Sequence, residues 1–60
     1  MNQWRVVTSY GVVTVFAKSE AQAMNRAKWK AVHAAFHFRN RAEELTSVRE
    51  CEVFRLERID

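Results

Sequence analysis

Proline is absent from this chain, and glycine occurs once, at Gly11. Without proline there is no prolyl turn and no proline kink in a helix. With one glycine there is no glycine-rich loop to cradle a phosphate. Cysteine also occurs once, at Cys51, so no disulfide can form within the chain. One thiol, together with the lack of an apolar leader in Met1–Arg5, is expected of a protein in a reducing, cytoplasmic compartment. Long hydrophobic runs are missing too. None approaches the roughly 20 residues that a membrane helix requires, so no membrane partner is expected.

What is present argues for an ordered domain. Hydrophobic residues make up 48 % of the chain, too many for a disordered segment. A length of 60 residues allows one domain, spanning 1–60, with a small core. The net charge of +3 is unevenly spread. Lys18, Arg26, Lys28, Lys30, Arg39 and Arg41 face only Glu20 in the middle of the chain. From Ala42 to Asp60 the balance reverses, with Glu43, Glu44, Glu50, Glu52, Glu57 and Asp60 against Arg49, Arg55 and Arg58. A basic middle and an acidic end make the molecule polar along its sequence.

Trp4–Ser9 and Val12–Ala17 alternate and are rich in β-branched residues, which predicts two strands. Tyr10-Gly11 between them predicts a tight hairpin turn, pairing Ser9 with Val12, Thr8 with Val13, Val6 with Val15 and Trp4 with Ala17. One face then carries Trp4, Val6, Thr8, Val13, Val15 and Ala17 and reads as core. The other carries Arg5, Val7, Ser9, Val12, Thr14 and Phe16. Ser19-Glu20-Ala21-Gln22 fits a capping box at a helix start. Good helix formers continue to Phe38, with Met24, Ala27, Ala31, Ala34, Ala35 and Phe38 on one stripe expected to face the sheet. Ala42 and Leu45 extend that stripe. An unbroken helix to Leu45 would run about 39 Å, however, against a strand of about 20–27 Å. The second box, Asn40-Arg41-Ala42-Glu43, therefore predicts a break near Asn40 and a short helical turn through Leu45. The last strand is expected over about Val48–Arg58. Its phase conflicts, with Cys51 and Val53 on one face and Phe54 and Leu56 on the other. Either a bulge reconciles them or both faces are partly covered.

The connections give the topology. A right-handed crossover through the helix places strand three beside strand one. The expected fold class is α+β: a three-stranded antiparallel sheet of order 2-1-3, with one helix packed on one face, in the order β-β-α-β. The other face is open and is a surface through which two copies could pair.

Catalysis is not expected. Cys51 is flanked by Glu50 and Glu52, whereas a nucleophilic thiol needs an electropositive setting. A small core residue is the simpler reading. His33 and His37 are one helical turn apart and could share a metal, but no third ligand stands at a readable spacing, so no metal or cofactor is expected. Arg26, Lys30, His33, His37 and Arg41 line one ridge of the helix. Such a ridge can track a phosphate backbone, although an ordinary solvated face looks the same. Beside the core stripe, Asn25, Trp29, Val32 and Phe36 form a second stripe. Exposed aromatics there would mark a protein interface, unless the sheet or the Arg39–Ser47 segment covers them. On the open face Phe16, Val7 and Val12 with Arg5, joined by Phe54 and Leu56 if the phase of the last strand allows, would make a patch that could pair two copies or hold a partner. The alternative is scattered surface hydrophobes with an Arg5–Phe16 cation–π contact across the hairpin.

The segment Gly11-Val12-Val13-Thr14-Val15-Phe16-Ala17-Lys18-Ser19-Glu20-Ala21-Gln22-Ala23 runs from a strand ending in alanine into Ser-Glu and an alanine-rich helix. It resembles small β-β-α-β accessory proteins of bacteriophages and other mobile elements, over roughly the first forty residues. The resemblance is one of fold pattern and transfers no functional residue. It implies a compact modulator of a host protein or a small regulator, acting in the host cytoplasm if phage-encoded. The functional expectation is therefore a protein-binding module, a modulator or inhibitor that occludes a partner's surface through Trp29, Phe36, Val32, Arg26, Lys30, His33, His37 and Arg41. The alternative is a small nucleic-acid-binding regulator using the basic ridge.

Overall fold

The computed structural model describes residues 1–60. Strands β1 (Asn2–Thr8) and β2 (Gly11–Ala17) are followed by helices α1 (Glu20–Ala35) and α2 (Arg41–Glu50) and by strand β3 (Val53–Arg58). The strands form one antiparallel sheet of order β2-β1-β3, as the crossover rule requires. There are two helices where the sequence pattern suggested one and a turn.

The hairpin register differs from the expected one by two residues. Thr8 lies opposite Gly11, Val6 opposite Val13 and Trp4 opposite Val15, so the turn is Ser9-Tyr10. Neither turn residue has positive φ, and Gly11, at φ +130°, is the one residue that does. The glycine therefore follows the turn instead of sitting within it, as in hairpins where a type I turn precedes a left-handed residue. Thr8 sets this geometry. Its Oγ1 accepts from the Tyr10 N–H at 3.1 Å and donates to the Gly11 carbonyl at 2.8 Å. A shift of two leaves every side chain on its expected face. It does separate Arg5 from Phe16, which faces Gln3, and Arg5 lies opposite Thr14 and forms an ion pair with Glu57 at 3.9 Å. In place of an Arg5–Phe16 cation–π pair there is thus an ion pair.

Helix α1 ends at Ala35, earlier than expected. Its 16 residues span about 24 Å, and a seven-residue strand spans about 23 Å. The helix stops once it has carried the chain back along the sheet. Ser19 caps it by accepting from the Gln22 N–H at 3.2 Å, while Gln22 Oε1 accepts from the Lys18 N–H at 2.7 Å. The buried stripe is Ala23, Ala27 and Ala31 with Val32, rotated from the expected one. Met24, Ala34 and Ala35 are exposed and Phe38 is half-buried. Alanine at every fourth position lets the helix axis approach the sheet closely, which rewards Ala23 over the larger Met24.

Helix α2 is longer than the expected turn. Asn40 accepts from the Glu43 N–H at 3.0 Å, and Glu43 reaches back to the Arg39 N–H at 3.0 Å. The β-branched Thr46 and Val48 read as strand onset, yet both are helical, and the Thr46 hydroxyl donates to the Ala42 carbonyl at 2.9 Å. Cys51 caps the helix and is buried. Strand β3 therefore starts at Val53, and Phe54 is the extra residue of a bulge between Val7↔Arg55 and Thr8↔Val53. The bulge brings Val53 and Leu56 onto the core despite their odd spacing.

The core is Trp4, Val6, Val15, Ala17, Ala23 and Ala27, with Val13, Val53 and Leu56 at its margin. Trp4 Nε1 donates to the Ala17 carbonyl at 3.1 Å, so the largest core ring is also hydrogen-bonded. No helix is long and apolar enough to cross a membrane.

Candidate functional site

The basic ridge is largely occupied by contacts within the chain. β2 is an edge strand whose Val12, Thr14 and Phe16 main-chain groups point away from β1, because the odd-numbered β1 residues opposite them turn their own toward β3, where the Gln3 carbonyl accepts from the Ile59 N–H. Lys30 Nζ donates to the Thr14 carbonyl at 2.6 Å, and Arg26 Nη1 donates to the Phe16 carbonyl at 2.6 Å. Two residues read as phosphate ligands thus cap the free edge of the sheet, a position where lysine and arginine discourage pairing with other chains. His33 Nε2 meets Glu44 Oε2 at 2.7 Å, and Arg41 Nη1 lies 3.5 Å from Glu44 Oε1. A carboxylate from α2 therefore sits within the ridge and offsets its charge. His37 is exposed and lines a groove beside α2. His33 and His37 do not converge with a third ligand.

The second stripe divides. Val32 is fully buried, so it cannot touch a partner. Its place in the stripe was legible, but not that α1 is rotated enough to bury it. Trp29 is half-buried, with the Arg41 guanidinium 5.9 Å from its ring centroid and the His33 ring 5.8 Å away, edge-on. Phe36 caps α1 and stays 42 % exposed.

These rings form a row. From Trp29 it passes to His33, then Phe38 at 6.3 Å, Phe36 at 6.2 Å and Tyr10 at 4.8 Å. It runs from the middle of α1, over the link between the helices, to the hairpin tip. Phe36 and Phe38 also wall an open groove of about 520 Å³ whose far side is Asn40, Ala42 and Thr46 of the capped start of α2. Sequence reasoning missed three members of this surface. Phe38 was assigned to the core stripe, Tyr10 to a turn, and Glu44 to an acidic tail. The Arg41–Glu44 spacing of three on a helix was a readable signal. Tyr10–Phe36 and His33–Glu44 depend on tertiary folding and left none.

The open sheet face carries Val12 and Phe16, both exposed, beside half-buried Val7 and the Arg5–Glu57–Arg55 ion pairs. A pit of about 150 Å³ lies among Arg5, Val7, Arg55 and Glu57.

In comparisons with known proteins, no family matches this chain, and neither a curated protein nor a solved structure is similar to it.

Proposed function

We propose that this chain is a small, non-catalytic protein-binding module that occupies a partner's surface through the row Trp29–His33–Phe38–Phe36–Tyr10. The observation that carries this reading is the row itself, two of whose rings, Phe36 and Phe38, wall an open groove. Aromatic rings held in mutual contact give large contact area with little further loss of side-chain freedom, which suits binding anchors. Arg41 over Trp29 and the polar start of α2 supply a rim of the kind that surrounds such anchors. Nucleic-acid binding is the less well supported reading, because Arg26 and Lys30 are turned onto β2 carbonyls and Glu44 lies between His33 and Arg41. A phage-encoded modulator of a host protein, acting in the host cytoplasm, is the setting implied by the resemblance of Gly11–Ala23. The buried free thiol of Cys51 is compatible with a reducing compartment.

The reading is tested by placing a photo-crosslinking phenylalanine analogue at Phe36 or, as control, at Val12, and irradiating in bacterial lysate with and without nuclease. A discrete, nuclease-resistant protein adduct from position 36 but not 12 is expected. Adducts that vanish with nuclease, or that form equally from both positions, would count against it.

A further inference from the structure

The two edges of the sheet are treated differently. The β2 edge is capped by Lys30 and Arg26, but nothing in the chain covers the β3 edge. The Ile59 N–H donates to the Gln3 carbonyl at 2.9 Å, so the odd-numbered residues of β1 face β3. The pairs Arg5↔Glu57 and Val7↔Arg55 therefore exchange the ladder bonds, and the main-chain groups of Leu56 and Arg58 point outward. A free edge of this kind is a template for another strand.

We infer that the β3 edge pairs with the β3 edge of a second copy of this chain, antiparallel about a two-fold axis at Leu56, extending the sheet to six strands. The strand's own charges select this partner and register. Antiparallel pairing must set outward-facing residues opposite one another, so even-numbered residues meet even-numbered ones. Three such registers place the strands in substantial overlap. With Phe54 opposite Leu56, Arg55 meets Arg55. With Leu56 opposite Arg58, Glu57 meets Glu57. With Leu56 opposite Leu56, Arg55 of each copy meets Glu57 of the other, and Phe54 meets Arg58. Only the last avoids like charges directly opposite, and it forms the same attractive pair twice. The exposed Phe54 gains a cationic neighbour, and the half-buried Leu56 gains a copy of itself on the core side. Both α1 helices then lie on the same face of the joined sheet. The axis relates edges, so the aromatic row takes no part in the contact, and of the open face only its β3 margin, Arg55 and Glu57, does.

The test is sedimentation equilibrium of the whole chain and of two charge-reversal variants, Arg55→Glu and Glu57→Arg, alone and mixed. The contact is small, so the series extends to about 1 mM. Wild type is expected to dimerise within that range. Each variant alone meets like charges twice and should associate at least about tenfold more weakly. Their equimolar mixture restores both attractive pairs and should dimerise as wild type does. In wild type, amide exchange should slow with concentration at Leu56 and Arg58 but not at Thr14 and Phe16; this readout does not depend on the variants folding. Three results would overturn the inference: a wild-type monomer throughout the range, a dimer indifferent to either charge reversal, or concentration-dependent protection at β2 instead of β3.

Discussion

Two residues decide the hairpin. Gly11 adopts φ +130°, and a Cβ built there meets nothing within 4 Å. The obstacle to any other residue is therefore backbone conformation alone. Gly11→Ala should cost about 1–3 kcal/mol, read from chemical denaturation, and Gly11→Val should cost more because the branched side chain narrows its backbone choices further. An unchanged midpoint would mean that the positive φ is not required. Thr8 is the one buried polar residue, and both of its hydrogen bonds close the turn. Thr8→Val preserves shape but leaves the Tyr10 N–H without its partner, at a cost of about 1–3 kcal/mol. The alternation of Trp4–Thr8 made the core face legible from sequence. The register was not legible, because Ser9-Tyr10 and Tyr10-Gly11 are equally short turns and only the Thr8 hydroxyl distinguishes them.

Among the elements, α2 is held least firmly. None of its residues is buried, whereas α1 buries Ala23, Ala27, Ala31 and Val32. Its integrity depends on Asn40, Glu43 and the Cys51 N–H, which donates to the Ser47 and Val48 carbonyls. Asn40→Ala should remove about 1 kcal/mol from the helix. The consequence is local: amide protection should fall across Arg41–Glu50 and hold in β1 and α1. Equal loss in all three would show that α2 unfolds only with the whole domain. The Asn40 box was readable as a break, since its residues are adjacent in sequence. The length of α2 was not, because Thr46 and Val48 favour a strand locally and are overruled by the need to bury Cys51 and start β3 level with β1. The bulge at Phe54 follows from the same constraint, and the conflict of phases between Cys51, Val53 and Leu56 was its visible trace.

At the scale of the whole molecule, one set of residues has two readings. As a sequence pattern, Arg26, Lys30, His33 and Arg41 look like a cationic face waiting for phosphate. In the fold, two of them close the β2 edge and two engage Glu44, and the aromatic row beside them, with Phe36 42 % exposed, is the proposed contact surface. The most direct test compares wild type, Phe36→Ala and Arg26→Gln/Lys30→Gln in binding the crosslinked partner across a salt series. Glutamine removes charge while keeping a donor for the β2 carbonyls, and circular dichroism establishes that each variant is folded. A protein contact centred on the row predicts weak salt dependence and a loss of about 2 kcal/mol or more for Phe36→Ala, with little change in the charge variant. A steep loss of affinity with salt that flattens by about two units of slope in Arg26→Gln/Lys30→Gln, with Phe36→Ala nearly silent, would contradict it.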